Sequence, residues 1–324
     1  RDVERSRGLG DVYKRQDVTY TKMSGSVLLT YTLPSDPDLL YVAASYTNKA
    51  GKKYEFKASY FTNTLLVEGF GDTDTYSLDV YAVDRSENYS EPVNIQVAAD
   101  TPPVQAAYET LEVQPDFGGM TFSFDNASKA DLTVYVSTPN ADNEMVNAET
   151  FYTGLAKATF SVRGFLDVPR DFEICFEDKW GNRSPVKKEN LTPIYEAELD
   201  KKKFKEVILP GDFPCTFYES KMEYIWDGRI VADSDGRTGC HTGSDGSRVP
   251  KYFTFDMGVK AKLSRFQLWQ LQDDKHWYND VSPRNYQIWG CAGTPPADGS
   301  WDDWVLLAEV ENCLLYTSDA ADDM

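Results

Sequence analysis

Histidine is nearly absent: the 324-residue chain has 2, His241 and His276. Neither stands in a His-Glu-x-x-His or other metal-ligating spacing, which argues against a histidine-built catalytic centre. Cysteine is sparse as well, with 5. No Cys-x-x-Cys pair occurs, so a structural zinc site is not expected. There is no Gly-x-Ser-x-Gly elbow and no phosphate-cradling glycine loop. Positive charge is outnumbered, 33 Lys and Arg against 52 Asp and Glu, for a formal net charge of −19. Such acidity opposes non-specific attachment to nucleic acid or an anionic membrane. No apolar run approaches the ~18 residues of a membrane-spanning helix. Helical periodicity is nearly missing too.

Short alternating runs between turn residues fill the chain, and they predict an all-β protein built of sandwiches. In the first segment, Val27–Leu33 is stopped by Pro34-Ser35-Asp36-Pro37. Runs follow at Leu40–Tyr46, at Leu65–Phe70, across Tyr76, Leu78, Val80 and Ala82, and at Val93–Val97. The second segment repeats this plan at an offset of roughly 95 residues, about one immunoglobulin-like sandwich. Asp84-Arg85-Ser86-Glu87-Asn88-Tyr89-Ser90 corresponds to Asp178-Lys179-Trp180-Gly181-Asn182-Arg183-Ser184. Leu78, Val80 and Ala82 correspond to Phe172, Ile174 and Phe176, and Gly69-Phe70 to Gly164-Phe165. Phe117–Phe124 reads as a first core strand of the second copy. Asp100-Thr101-Pro102-Pro103 reads as the linker between copies, and Ala197–Phe213 as a solvated connector.

Six of the 7 tryptophans lie between Tyr218 and Val310. This third segment holds Trp226-Asp227-Gly228, Phe253–Gly258, Leu263–Trp269, Pro283–Gly290 and Gly299–Trp304. Its Phe253, Phe255, Phe266, Leu268, Tyr286 and Ile288 alternate with other residues and read as core. The paired carboxylates Asp273-Asp274 and Asp302-Asp303 could do glycosidase chemistry. On a strand, however, neighbours face opposite ways, and the solvated reading is preferred. Cys215 and Cys240 are a local disulfide candidate, with free buried thiols equally compatible.

Sugar binding needs less machinery than catalysis. A pyranose stacks its apolar C–H face on a flat ring, and planar polar groups take its hydroxyls. The best cluster is Gln272–Asn279, with Trp277 or Tyr278 as platform and His276, Asn279 and Arg284 as hydrogen-bonding partners. The competing reading has Trp277 closing its loop against the sandwich. Trp226 heads a second candidate. Asp227 could order that turn through backbone bonds alone; the resemblance of this segment to discoidin modules implies instead a role in ligating calcium, and Asp233 and Asp235 could join such a site, since hard cations want clustered oxygens. The glycine-rich stretch around Cys240 is another rim, from which Arg237 or His241 could reach a ligand.

The two ends read as translated adapter DNA. Asp11–Gln16 can be encoded by GAT GTG TAT AAG AGA CAG, and the reverse complement of that string, read in a shifted frame, encodes Cys-Leu-Leu-Tyr-Thr-Ser, the residues at 313–318. On this expectation residues 1–16 and 313–324 are artefact. The domains are then 17–101, 102–195 and 196–312, the last truncated, and both natural termini lie elsewhere.

Three resemblances follow from these residues. The alternation Tyr-x-Leu-x-Val-x-Ala followed by Asp-Arg-x-x-Asn-x-Ser resembles the last strands of fibronectin type III domains. The third segment resembles a discoidin (coagulation factor 5/8 type C) module, a galactose-binding-like jelly-roll sandwich whose loops bind surface ligands. The order of the three is similar to lipoproteins of unknown function from glycan-utilisation loci of Gram-negative gut bacteria. Leu39–Val42, Gly69–Asp72, Val83–Asn88 and Leu191–Glu196 carry that likeness. It implies export, an N-terminal lipid anchor lost here, an outer-membrane, cell-surface or periplasmic place, and work beside outer-membrane glycan-import proteins. The expected function is non-catalytic capture of oligo- or polysaccharide. The alternatives are an accessory region of a larger glycoside hydrolase and an adhesion or assembly protein.

Overall fold

The computed structural model describes residues 17–33, 37–229, 239–243, 250–269 and 283–311. The chain divides between Glu196 and Ala197 into two compact units.

The first unit holds two β-sandwiches. In the first, β1 (Thr19–Met23), β2 (Ser26–Thr30) and β5 (Thr64–Glu68) form one sheet in the order β1-β2-β5. Strands β3 (Leu39–Thr47), β4 (Lys53–Ser59), β6 (Tyr76–Asp84) and β7 (Val93–Val97) form the other, in the order β4-β3-β6-β7. Alternation sets the faces: Tyr76, Leu78, Val80 and Ala82 point inward and are buried, as are Val27, Leu29, Val67 and Phe70 opposite them.

The second sandwich repeats the topology. Strands β8 (Glu112–Asp116), β9 (Gly119–Asp125) and β12 (Lys157–Arg163) pair in the order β12-β9-β8. Against them lie β10 (Leu132–Pro139), β11 (Met145–Thr153), β13 (Arg170–Asp178) and β14 (Lys187–Leu191), in the order β11-β10-β13-β14. Phe122, Phe124, Val134, Phe172, Ile174 and Phe176 fill the core. Between the copies stands a short helix, α1 (Pro103–Glu109), which sends Val104 and Ala107 into the second core. The sequence suggested only a linker there. Proline is at home in a helix's first turn, and a helix this short leaves no readable period.

The repeated turn explains itself atom by atom. Asp84 accepts from the backbone N–H of Ser86 at 2.8 Å and of Asn88 at 2.9 Å, and Asn88 Nδ2 donates back to it at 2.9 Å. Asp178 does the same with Trp180 at 2.9 Å, Asn182 at 3.0 Å and Asn182 Nδ2 at 2.9 Å. Ser90 and Ser184 each accept a buried strand N–H, from Ala82 and Phe176, at 3.0 Å. Such side chains bond their own backbone in place of the ladder.

The copies differ at several positions of this turn, the third among them. Where the first has Ser86, the second has Trp180, and that ring lies on the first sandwich. It meets Tyr54 edge-on at 5.6 Å and Phe56 at 5.7 Å. Tyr54 Oη donates to the Trp180 carbonyl at 3.3 Å, and Asn182 Nδ2 donates to the Gly69 carbonyl at 3.2 Å. Gly69 has φ +90°, and a Cβ there would stand 3.1 Å from the indole. Only a residue that tolerates a left-handed backbone and lacks a side chain suits this approach.

The second unit is also β-structured. Strand β15 (Lys205–Val207) pairs antiparallel with β16 (Thr254–Asp256), and β17 (Asn285–Gly290) with β18 (Val305–Glu311). The stretch expected to be a connector therefore contributes a strand. Tyr286 and Ile288 are half-buried, opposite Val310 and Ala308. Phe266 and Leu268, expected in the core, are instead 52% and 45% exposed on a segment without regular structure. Alternation defines a face but supplies no partner strand.

Candidate functional site

The clearest surface feature of the second unit is built around a disulfide. Cys215 and Cys240 are bonded, with Cα atoms 5.1 Å apart and a sequence separation of 25. Cys175 and Cys291 are free. Directly after Cys215, the chain passes through a one-turn 3-10 helix, Phe217–Glu219, in which Tyr218 has φ 53° and Glu219 φ 58°. Two consecutive left-handed residues that are not glycine cost conformational energy, and such strain gathers at ligand-contacting sites.

The strain puts Tyr218 at the surface, where it is 79% exposed. Phe217 backs it at 4.4 Å, and His241 stands edge-on to it at 5.3 Å. His241 is fixed from several directions. Its N–H donates to Ser220 Oγ at 3.0 Å, its carbonyl accepts from Phe217 N–H at 3.2 Å, and its Nδ1 accepts from Gly243 N–H at 3.2 Å. That last bond assigns Nδ1 as acceptor, which leaves Nε2 as the ring's donor when the imidazole is neutral. The result is an open aromatic platform with an imidazole at its edge.

The other expected residues fall in separate groups. Trp226 is half-buried, packed at 5.7 Å from Phe204 and 5.3 Å from Phe255, which supports β15 and β16. Asp227 accepts from Arg229 N–H at 2.9 Å and Arg229 Nε at 2.8 Å, one bond to each carboxylate oxygen. Its described role is to order the Trp-Asp-Gly turn. A carboxylate already holding a guanidinium is a poor fit for calcium, and no group of three potential metal ligands occurs among the described residues. Arg284 pairs with Glu311 at 3.2 Å at the end of the β17–β18 ladder. Trp301 meets Trp289 at 5.1 Å, Tyr252 at 5.3 Å and Trp304 at 6.0 Å, forming one aromatic group beside that ladder. Trp277, Tyr278, His276, Asn279, Asp233, Asp235 and Arg237 lie outside the described residues.

Family comparisons divide the chain in three. Residues 13–99 match a domain of unknown function (DUF4959), residues 100–202 another (DUF5126), and residues 226–314 a third (DUF5000). No curated protein matches. The solved SusE-like protein BT2857 is 32% identical over 65% of this chain and 77% of that one. The chain belongs to the SusE-like family. The assignment rests on sequence identity; with a TM-score of 0.36, the superposition adds nothing to it. Two chicken structures also match: a two-domain fibronectin type III segment of tenascin and the FN1–FN3 domains of CNTN1. The tenascin segment is 16% identical over 54% of this chain and 97% of its own, with a TM-score of 0.27. CNTN1 is 8% identical over 55% and 65%, with a TM-score of 0.25.

Within this SusE-like chain, Phe217 and Tyr218 were missed as site residues by sequence reasoning. The available signal was two adjacent aromatic residues, two and three places after Cys215, with a serine and charged residues following. Composition says nothing about the left-handed backbone that turns one of them outward.

Proposed function

We propose that this SusE-like protein is a non-catalytic glycan-binding component of a glycan-utilisation system. It is exported, held by an N-terminal lipid anchor at the outer membrane, and captures oligo- or polysaccharide for outer-membrane import proteins. Capture is assigned to the third segment, read as a discoidin-like module. Trp277, Tyr278, His276, Asn279 and Arg284 form one rim in this reading, and Tyr218 with His241 another.

The observation that carries the reading is Tyr218: a strained, disulfide-braced, exposed ring beside an oriented imidazole. A sugar's C–H face stacks on the ring, and a hydroxyl accepts from His241 Nε2. The Cys215–Cys240 bond fits an oxidising, exported setting. No step depends on calcium.

A shallow site of this kind gives about −4 to −7 kcal/mol, a Kd from roughly 1 mM down to about 10 μM. Glycan-array screening followed by titration tests it. Tyr218→Ala is expected to weaken the best glycan at least about tenfold, the loss of one aromatic stacking contact. Trp277→Ala tests the other rim. Wild-type protein that binds no glycan, or binding untouched by both variants, overturns the proposal.

A further inference from the structure

A second exposed ring stands in a different place, on the second sandwich. Tyr152, near the end of β11, is 77% exposed. It lines an open depression of about 410 Å³ with Asp131, Thr133, Thr153, Gly154 and Lys179. The ladder explains the grouping. Thr133 is the direct cross-strand partner of Tyr152, so both project from the solvent face of the sheet. Asp131 sits just before β10, and Lys179 in the turn after β13, whose last residue, Asp178, pairs with Leu132.

The polar groups around the ring are largely unused. The Asp131 carboxylate, the Thr133 hydroxyl and the Tyr152 hydroxyl engage no partner among the described residues, and Lys179 Nζ meets the Glu68 carboxylate at 3.5 Å and lies over the Trp180 ring, 5.1 Å from its centroid. An ion pair that long and that exposed contributes little stability. The core of the sandwich does not call for Tyr152, which points away from it.

Charge narrows the ligand. Asp131 and Glu68 flank a single ammonium in a chain of net charge −19, so an anionic ligand such as a uronic acid or phosphate ester is disfavoured. A neutral hexose or pentose unit fits. Its C–H face covers the Tyr152 ring, Asp131 accepts two hydroxyl protons, and Thr133 and Lys179 donate to ring or hydroxyl oxygens.

We infer that Tyr152, Asp131, Thr133 and Lys179 form a second binding site, for one unit of a neutral glycan, on the second sandwich. The inference rests on the glycan-binding reading above and extends it: two sites on one chain engage a single polysaccharide, so binding to long chains exceeds binding to short ones without any new contact type.

The test uses the full chain with neutral gluco-, galacto-, manno- and xylo-oligosaccharides and their polymers. Tyr152→Ala and Asp131→Asn remove exposed side chains, and unchanged circular dichroism checks the fold. Expected are a backbone amide shift at Gly154 on titration with oligosaccharide and about a tenfold weaker binding to polymer in Tyr152→Ala. The Tyr152→Ala/Tyr218→Ala double variant should lose polymer binding. If Tyr152→Ala binds polymer like the wild type and Gly154 does not shift, while Tyr218→Ala loses binding, this site is refuted and the first stands. If Tyr152→Ala loses binding while Tyr218→Ala does not, the reverse holds. Wild-type protein inert to every glycan refutes both.

Discussion

Replacing Trp180 with serine asks what joins the two sandwiches. Serine is what the first copy carries at the matching place, Ser86, where the same Asp–Asn turn forms. Trp180→Ser therefore leaves its own turn intact and removes only the ring. That ring is half-buried and makes two edge-on aromatic contacts, at 5.6 and 5.7 Å. About 100 Å² of apolar surface returned to water costs about 2.5 kcal/mol at the usual coefficient, and aromatic geometry adds about 0.5–1.5 kcal/mol per pair. Partial collapse of the gap offsets some of this, which leaves about 3 kcal/mol as the expected loss. A joint of that strength couples the unfolding of its neighbours. Differential scanning calorimetry should show the two sandwiches unfolding in one transition in the wild type and in two in the variant. Loss of the lone indole before residue 226 also removes a fluorescence signal that reports the joint. A single transition with an unmoved midpoint in Trp180→Ser would falsify the claim that this ring couples the sandwiches.

Other outcomes follow from the same structure. A Cβ at Gly119 would stand 1.8 Å from the Val162 carbonyl oxygen in the β9–β12 pair; Gly119→Ala should cost about 3 kcal/mol or more by overpacking, read as a lower urea midpoint. Opening the Cys215–Cys240 bond, whose sequence separation is 25, should cost about 3 kcal/mol on the loop-entropy model. Mild reduction should therefore expose the region around Tyr218 to protease before either sandwich. The Asn88 side chain and the backbone N–H groups of Asn88 and Ser86 hold the Asp84 carboxyl below its usual pKa. Its contribution is thus fully present above the ordinary carboxylate pKa of about 4 and fades as pH falls through the lowered folded value. Asp84→Asn should flatten the pH dependence of stability in that acid window and lower stability at neutral pH, where the carboxylate's contribution is in full.

What could be read from the sequence was what the chain does locally. The turns at Asp84 and Asp178 close on residues two and four places away, and so they announce themselves in composition. The inward alternation of Leu78, Val80 and Ala82, repeated in Phe172, Ile174 and Phe176, likewise needs only a period of two. Trp180 was placed in its turn, but its task was hidden, because its partners Tyr54 and Phe56 are far away in the chain and nothing local marks them. The charged stretch holding Lys205–Val207 looked like a connector because a three-residue strand has too few positions to alternate. The disulfide was one of two open readings, and folding brought Cys215 to Cys240. For the candidate site, aromatic richness pointed to the segment that holds Tyr218. Tyr218, exposed among the described residues, sits on backbone dihedrals that no residue-type pattern encodes.

The indole has one more effect, on order. Two beads with the same topology could follow each other in either sequence, and duplication alone gives no reason to prefer one. With serine on the leading bead and tryptophan on the trailing one, only the present succession gives the ring a seat. Exchanging the beads would take the indole away from Tyr54 and Phe56 and leave Gly69 uncovered, so one residue helps to make the pair directional.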